Sequence, residues 1–119
     1  MFYDGSGLSR QNLVTPHAVV KLLSYALSQP WGAIYQDSLP VGGVDGSLAE
    51  RFKNGPAAGR VSAKTGSLGH VNSLSGYATT QKGEKVVFSI MANNHNLTSK
   101  RALDAIDRIV EAFVEDGKK

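Results

Sequence analysis

Apolar residues near the start of the chain recur at helical spacing. Ala18, Val19, Leu22, Leu23, Ala26 and Leu27 fall at intervals of three and four, which predicts an amphipathic helix over residues 16 to 28. Thr15-Pro16 is its start signal, because a threonine hydroxyl accepts from orphan amides and proline suits the first helical position. Pro30 lies just past its end, and Trp31 to Gln36 is expected to add a further helical turn. Leu39 to Ser47, punctuated by Pro40, Gly42, Gly43 and Gly46, reads as a loop. A short helix is expected near Ser47 to Phe52, ended by Asn54-Gly55-Pro56.

Further along, the period drops to two. From Arg60 to Gly66, Val61, Ala63 and Thr65 alternate with Ser62 and Lys64, and Val71 to Thr79 and Lys85 to Ala92 also read as strands. Val86, Phe88 and Ile90 share one face of the last strand, and Gln81-Lys82-Gly83-Glu84 supplies a hairpin connection. The pattern then returns to helical spacing. Ala102, Leu103, Ile106, Ile109, Val110, Phe113 and Val114 form a stripe, with Asp104, Asp107, Arg108 and Glu111 elsewhere, so a helix over about residues 98 to 115 needs a flat apolar partner. The adjacent antiparallel sheet of about three strands is that partner. Helices, a meander and a closing helix make an α+β arrangement. Residues 1–119 are expected to form one domain, with a helical segment over 1–58 and the sheet and last helix over 59–119.

Composition narrows the class. With 119 residues, 41% hydrophobic and 19% charged, the chain reads as globular, and no apolar run approaches a membrane span. It has no cysteine, which removes disulfides and thiolate chemistry. The formal charge of +3 comes from scattered lysines and arginines with no aromatic interleaving, so nucleic acid is not an expected partner. The opening Met1-Phe2-Tyr3-Asp4-Gly5 shows no basic leader, apolar stretch or cleavage site, so no export signal is visible.

The residues with chemical promise are Lys64-Thr65-Gly66 and Ser67, late in the first predicted strand. An ammonium at Lys64 raises the local potential and favours a substrate carboxylate. The Thr65 hydroxyl can donate to that carboxylate, and Gly66 leaves room for a substrate backbone. A free strand edge can pair with an extended peptide, and the Ser67 amide can point at a developing oxyanion. Strict alternation puts Lys64 and Thr65 on opposite faces, so the lysine stem has to curl towards the cleft. Taken alone, the tripeptide reads more simply as a surface strand with a solvated lysine and a turn glycine.

Other candidates are weaker. His17, His70 and His95 show no metal spacing and no linked carboxylate, so no metal is expected. His17 should face outward, whereas His70 follows the Lys-Thr-Gly strand and can flank its cleft. Asp104 and Asp107 are expected on a solvated helix face. Gly42-Gly43 and Gly5-Ser6-Gly7 lack the strand, helix and lysine of a phosphate loop, and Ser6 and Ser9 suit a structural turn.

Context changes the weight of the tripeptide. Asp4-Gly5-Ser6-Gly7-Leu8-Ser9-Arg10, Asn12-Leu13, Thr15-Pro16, Leu39-Pro40, Gly43, Asp45-Gly46-Ser47-Leu48, Val61-Ser62-Ala63-Lys64-Thr65-Gly66-Ser67-Leu68, Val71 and Leu74-Ser75-Gly76-Tyr77 occur in an order and spacing that resembles the penicillin-binding protein 4-type D-Ala-D-Ala carboxypeptidases. The resemblance covers essentially the whole chain. It implies a fragment of the β-lactamase/transpeptidase-like fold, with Lys64 catalytic and Lys64, Thr65, Gly66 and Ser67 binding substrate. It also implies serine-type hydrolysis of peptidoglycan stem peptides ending in D-Ala-D-Ala, β-lactams as inhibitors, no cofactor, and a periplasmic or extracytoplasmic location.

Two motifs of such enzymes are missing. No lysine has a serine three positions before it, and no asparagine has a serine two positions before it. The resemblance therefore implies truncation, with the nucleophile upstream of Met1 and the isolated chain inactive. A non-catalytic peptide-binding module and an inactive remnant are the alternatives. An unpaired sheet edge and the helix face around Val19, Leu22 and Leu23 lead to the expectation of self-association.

Overall fold

In the computed structural model, residues 15–68, 71–93 and 98–116 are described. Helix α1, Pro16–Leu27, begins where its cap allows: the Thr15 side chain accepts from the Ala18 amide at 3.1 Å, and Pro16 occupies the first turn. A second short helix, α2 (Gly32–Asp37), follows after Pro30. The chain then runs through turns to three strands, β1 (Val61–Leu68), β2 (Val71–Thr79) and β3 (Lys85–Asn93), and ends in α3 (Ser99–Asp116). Both strand pairs are antiparallel in the order β1-β2-β3, with Thr65 opposite Leu74 and Gly76 opposite Phe88. The connection between β2 and β3 is a tight turn in which the Thr80 amide donates to the Glu84 carbonyl at 2.8 Å.

The period of two gives the sheet two different faces. Val61, Ala63, Leu74, Ala78 and Phe88 point to one side and bury against Ile106, Val110 and Val114 of α3, together with Leu48, Phe52 and Ala57 from the preceding turns. Tyr77 and Val87 point to the other side and pack against Val19, Leu23 and Leu27 of α1, with Tyr35 and Leu39. The Tyr77 hydroxyl donates to the Leu23 carbonyl at 2.7 Å, which ties helix to sheet. Burial, reinforced by Tyr35, pushes the Tyr77 pKa above the ordinary tyrosine value. The fold is therefore α+β, with the sheet between α1 and α3.

Four expectations change in detail. Between Ser47 and Phe52 only Gly46–Leu48 forms a helical turn, of the 3-10 type. Phe52 takes a left-handed φ of 63°, which ends any helix there while its ring stays buried in the core. On α3 the contact stripe is narrow: Ala102, Ile106, Val110 and Val114 are buried, whereas Ile109 is 51% exposed. On α1, Leu23 is buried and Val19 packs beside Tyr77, so of the face expected to self-associate only Leu22 is exposed, at 63%. Tyr25, Trp31 and Ile34 are the large exposed apolar neighbours in sequence.

Asp107 is the fourth. Asp104 does sit in solvent with Lys100, but Asp107 is held by Arg51, whose Nε lies 3.1 and 3.2 Å from its two carboxylate oxygens. Both side chains are largely covered, at 14% and 18% exposure. This forked contact pins the segment before β1 onto α3. Asp107→Ala should destabilise the chain by about 1.5–3 kcal/mol, because it strands a half-buried guanidinium. Asp104→Ala should stay within about 0.5 kcal/mol. Urea denaturation of the two variants checks this, and equal midpoints would refute the assignment.

Candidate active-site strand

β1 is an edge strand, and its outer edge is only half covered. Val41 forms an antiparallel bridge with Ser62: the Gly42 amide donates to the Val61 carbonyl at 2.9 Å, and the Ala63 amide donates to the Pro40 carbonyl at 3.0 Å. On the inner side, the Thr79 amide donates to the Arg60 carbonyl at 2.8 Å. Main-chain groups of an antiparallel strand alternate in direction. The odd residues Val61, Ala63, Thr65 and Ser67 thus turn their amides and carbonyls outward. Pro40–Gly42 occupies the first two of these positions. Beyond it, among the described residues, no main-chain segment pairs with Thr65 or Ser67.

Lys64 and Thr65 lie on opposite faces, as alternation requires. Lys64 is exposed on the face that also carries α1, and its stem curls so that Nζ donates to the Thr65 carbonyl at 2.7 Å. The ammonium therefore reaches the open edge from a position that faces away from Thr65. Thr65 is half-buried on the α3 face, where its Oγ1 donates to Ser47 Oγ at 3.3 Å. Gly66 stands opposite Ser73, and a Cβ there would lie 2.6 Å from Ser73 Oγ. Its missing side chain keeps this stretch of the sheet face flat. The backbone of Ser67 continues β1 opposite Asn72.

The face beside Lys64 is polar where α1 stops covering it. Ser62, Ser73, Ser75 and Ser89 all point to that side, and Ser75 Oγ lies 2.9 Å from Ser89 Oγ. The alternation Ser73-Leu74-Ser75 was a visible signal for this hydroxyl-lined floor. Ser47 had no such signal, because its contact with Thr65 spans 18 residues.

His17 is exposed, as its helix position predicts. His70, His95, Ser6, Ser9 and Gly5-Ser6-Gly7 lie outside the described residues. Gly42 is buried against the Phe52 ring, which gives it a packing role. Among the described residues no cluster of three or more His, Asp or Glu side chains can hold a metal ion. No helix among them is long and apolar enough to cross a membrane.

An antiparallel sheet packed between two helices is the α+β arrangement this chain shares with solved penicillin-binding proteins. The chain belongs to the D-Ala-D-Ala carboxypeptidase 3 (S13) family, whose signature matches residues 1–113. It is 49% identical over 98 residues to a D-alanyl-D-alanine carboxypeptidase of Actinomadura sp. (strain R39), an alignment covering 78% of this chain and 18% of that protein. The crystal structure of penicillin binding protein 4 from Haemophilus influenzae superposes with a TM-score of 0.79 at 35% identity, covering 92% of this chain and 26% of that one. The same protein solved in complex with a novel β-lactam superposes with a TM-score of 0.78 at 33% identity, covering 92% and 28%. The chain thus corresponds to the C-terminal part of a penicillin-binding protein 4-type carboxypeptidase, and spans about a fifth to a quarter of these relatives.

Proposed function

We propose that this chain is the substrate-strand part of a serine-type D-Ala-D-Ala carboxypeptidase that acts outside the cytoplasm on peptidoglycan stem peptides. The observation that carries the proposal is the open half-edge at Thr65 and Ser67 with the Lys64 ammonium upon it, in a chain of this family. A stem peptide adds there as an extended strand, antiparallel to β1 and in line with Pro40–Gly42. Lys64 and the Thr65 hydroxyl hold its terminal carboxylate, Gly66 keeps the approach clear, and the outward Ser67 amide faces the scissile carbonyl oxygen.

A serine carried elsewhere in the longer protein attacks that carbonyl. The bond to the last D-Ala breaks, D-Ala leaves, and water hydrolyses the acyl-serine. A β-lactam ring amide takes the place of the scissile bond and leaves a longer-lived acyl-enzyme. No cofactor is needed for these steps.

In the longer protein, Lys64→Ala and Thr65→Val should each slow acylation by a labelled penicillin about 10- to 100-fold, because each removes a charge-assisted bond to the carboxylate. Stopped-flow acylation rates, read beside melting temperatures, test the assignment. Rates equal to those of the unaltered enzyme would reject it.

A second reading has one observation in its favour. The sequence contains no Ser-x-x-Lys, so the chain by itself matches a peptide-binding module without chemistry. Binding of a D-Ala-D-Ala peptide with no turnover by the longer protein would select that reading.

A further inference from the structure

The loop that covers half of the β1 edge also carries a hydroxyl aimed at the other half. Asp45 Oδ1 accepts from the Val41 amide at 2.8 Å, and Gly46 takes a left-handed φ of 59°, so the chain reverses tightly after its bridge to Ser62. Leu48 is fully buried in the core, and its carbonyl accepts from the Gly43 amide at 2.9 Å. Ser47 is thus mounted between a pinned turn and a buried anchor. Its Oγ accepts from Thr65 Oγ1 at 3.3 Å.

We propose that Ser47 is a positioning residue for substrate, one that acts through Thr65 as the second member of a two-hydroxyl chain. The inference rests on the reading of the Thr65–Ser67 edge as the peptide site. A hydroxyl carries one donor and two acceptor lone pairs, and its hydrogen rotates to suit. With the edge empty, the Thr65 hydrogen is spent on Ser47. When a peptide carboxylate arrives, the Thr65 hydrogen turns to it and the Ser47 hydroxyl turns to donate to Thr65 Oγ1. No proton changes atoms; both hydrogens rotate.

Two consequences follow from that geometry. Thr65 Oγ1 stays satisfied while it donates, and its bond to the carboxylate is polarised by the one behind it. The contact with the exposed Ser47 hydroxyl also favours the Thr65 rotamer seen here before substrate binds. Ser47 would therefore favour a free carboxylate over a neutral C-terminus, without touching the peptide.

The test is an NMR titration of the 119-residue chain with N-acetyl-D-Ala-D-Ala and with its C-terminal carboxamide, followed at the Thr65 and Ser67 amides. The unaltered chain should bind the acid more tightly than the amide. Ser47→Ala should weaken acid binding about 3- to 10-fold, the scale of one hydrogen bond, and amide binding less, so that the acid-to-amide ratio falls. Ser47→Thr, which keeps the hydroxyl, should retain the preference. An acid-to-amide ratio unchanged in Ser47→Ala, or lost equally in Ser47→Thr, overturns the role of Ser47 while leaving the peptide site standing. If neither peptide shifts the two amides in the unaltered chain, the peptide site itself fails, and this inference with it.

Discussion

Incubated with a labelled penicillin, the 119-residue chain alone is expected to gain no acyl mass on any serine. Serine attacks an amide only when a base takes its proton, and the base has to lie within hydrogen-bond reach. Among the described side chains, the serines nearest the candidate site lack one. Ser75 Oγ is paired with Ser89 Oγ, and neither hydroxyl is a base of useful strength. Ser47 is paired with Thr65. Lys64 shares a face with Ser62, Ser73 and Ser75, but its Nζ donates to the Thr65 carbonyl, and an ammonium has no lone pair to accept with. The sequence supplies no substitute, since no lysine follows a serine at the spacing such enzymes use. Losing the nucleophile of a serine enzyme costs on the order of 10⁶ in kcat, and the residual catalysis from binding and oxyanion groups forms no acyl-serine. Intact-mass spectrometry after long incubation reads the result directly. A stoichiometric adduct would mean that a serine of this chain is activated by some other base.

How far the sequence could be read depended on how local each signal was. The strands and the outer helices follow from spacing alone, because periods of two and of three to four report which side of an element is buried. The helix over 98 to 115 was legible for that reason, and α3 occupies Ser99–Asp116. Its breadth of contact was not legible. Ile109 belongs to the apolar set by composition, yet a helix resting on a sheet buries mainly one row at i, i+4, here Ala102, Ile106, Val110 and Val114.

Pairs separated by long stretches of chain gave no signal. Asp107 finds Arg51 56 residues away, and a charged residue on a helix reads as solvated until its partner is located. The bridge from Val41 to Ser62, which leaves only half of the β1 edge open, joins a loop to a strand and has no period to betray it. At the candidate site, alternation alone separated Lys64 from Thr65. That the lysine stem curls to the Thr65 carbonyl, and that Thr65 meets Ser47, are facts of tertiary packing. The tripeptide itself acquired meaning from its neighbours along the sequence, not from its own three residues.

Replacing Gly76 with alanine should unfold much of the molecule, with a stability loss of about 3 kcal/mol or more. Gly76 sits in the middle of the central strand, opposite Ala63 on one side and Phe88 on the other. A Cβ at this position would meet the Ser62 carbonyl oxygen, and would lie 2.6 Å from Ala63 Cα and 2.8 Å from Ala63 Cβ. None of these atoms is the free end of a flexible side chain, so no rotamer change relieves the overlap. β1 would have to move away from β2, which breaks ladder bonds and lifts Val61 and Ala63 out of the core they share with α3. Overpacking of this kind costs about 1–3 kcal/mol where side chains can yield, and more where only backbone can. Against a total stability on the order of 5–15 kcal/mol, that leaves a chain with a small margin. Gly66→Ala is the matched control on the same strand pair. Its Cβ would meet only Ser73 Oγ, a hydroxyl that can rotate aside, so the cost should be about 1 kcal/mol or less. Urea unfolding followed by circular dichroism separates the two. A Gly76→Ala midpoint equal to that of Gly66→Ala would show that β1 and β2 can spread without loss, and the Lys64–Ser67 edge would then not be held in place by its neighbour strand.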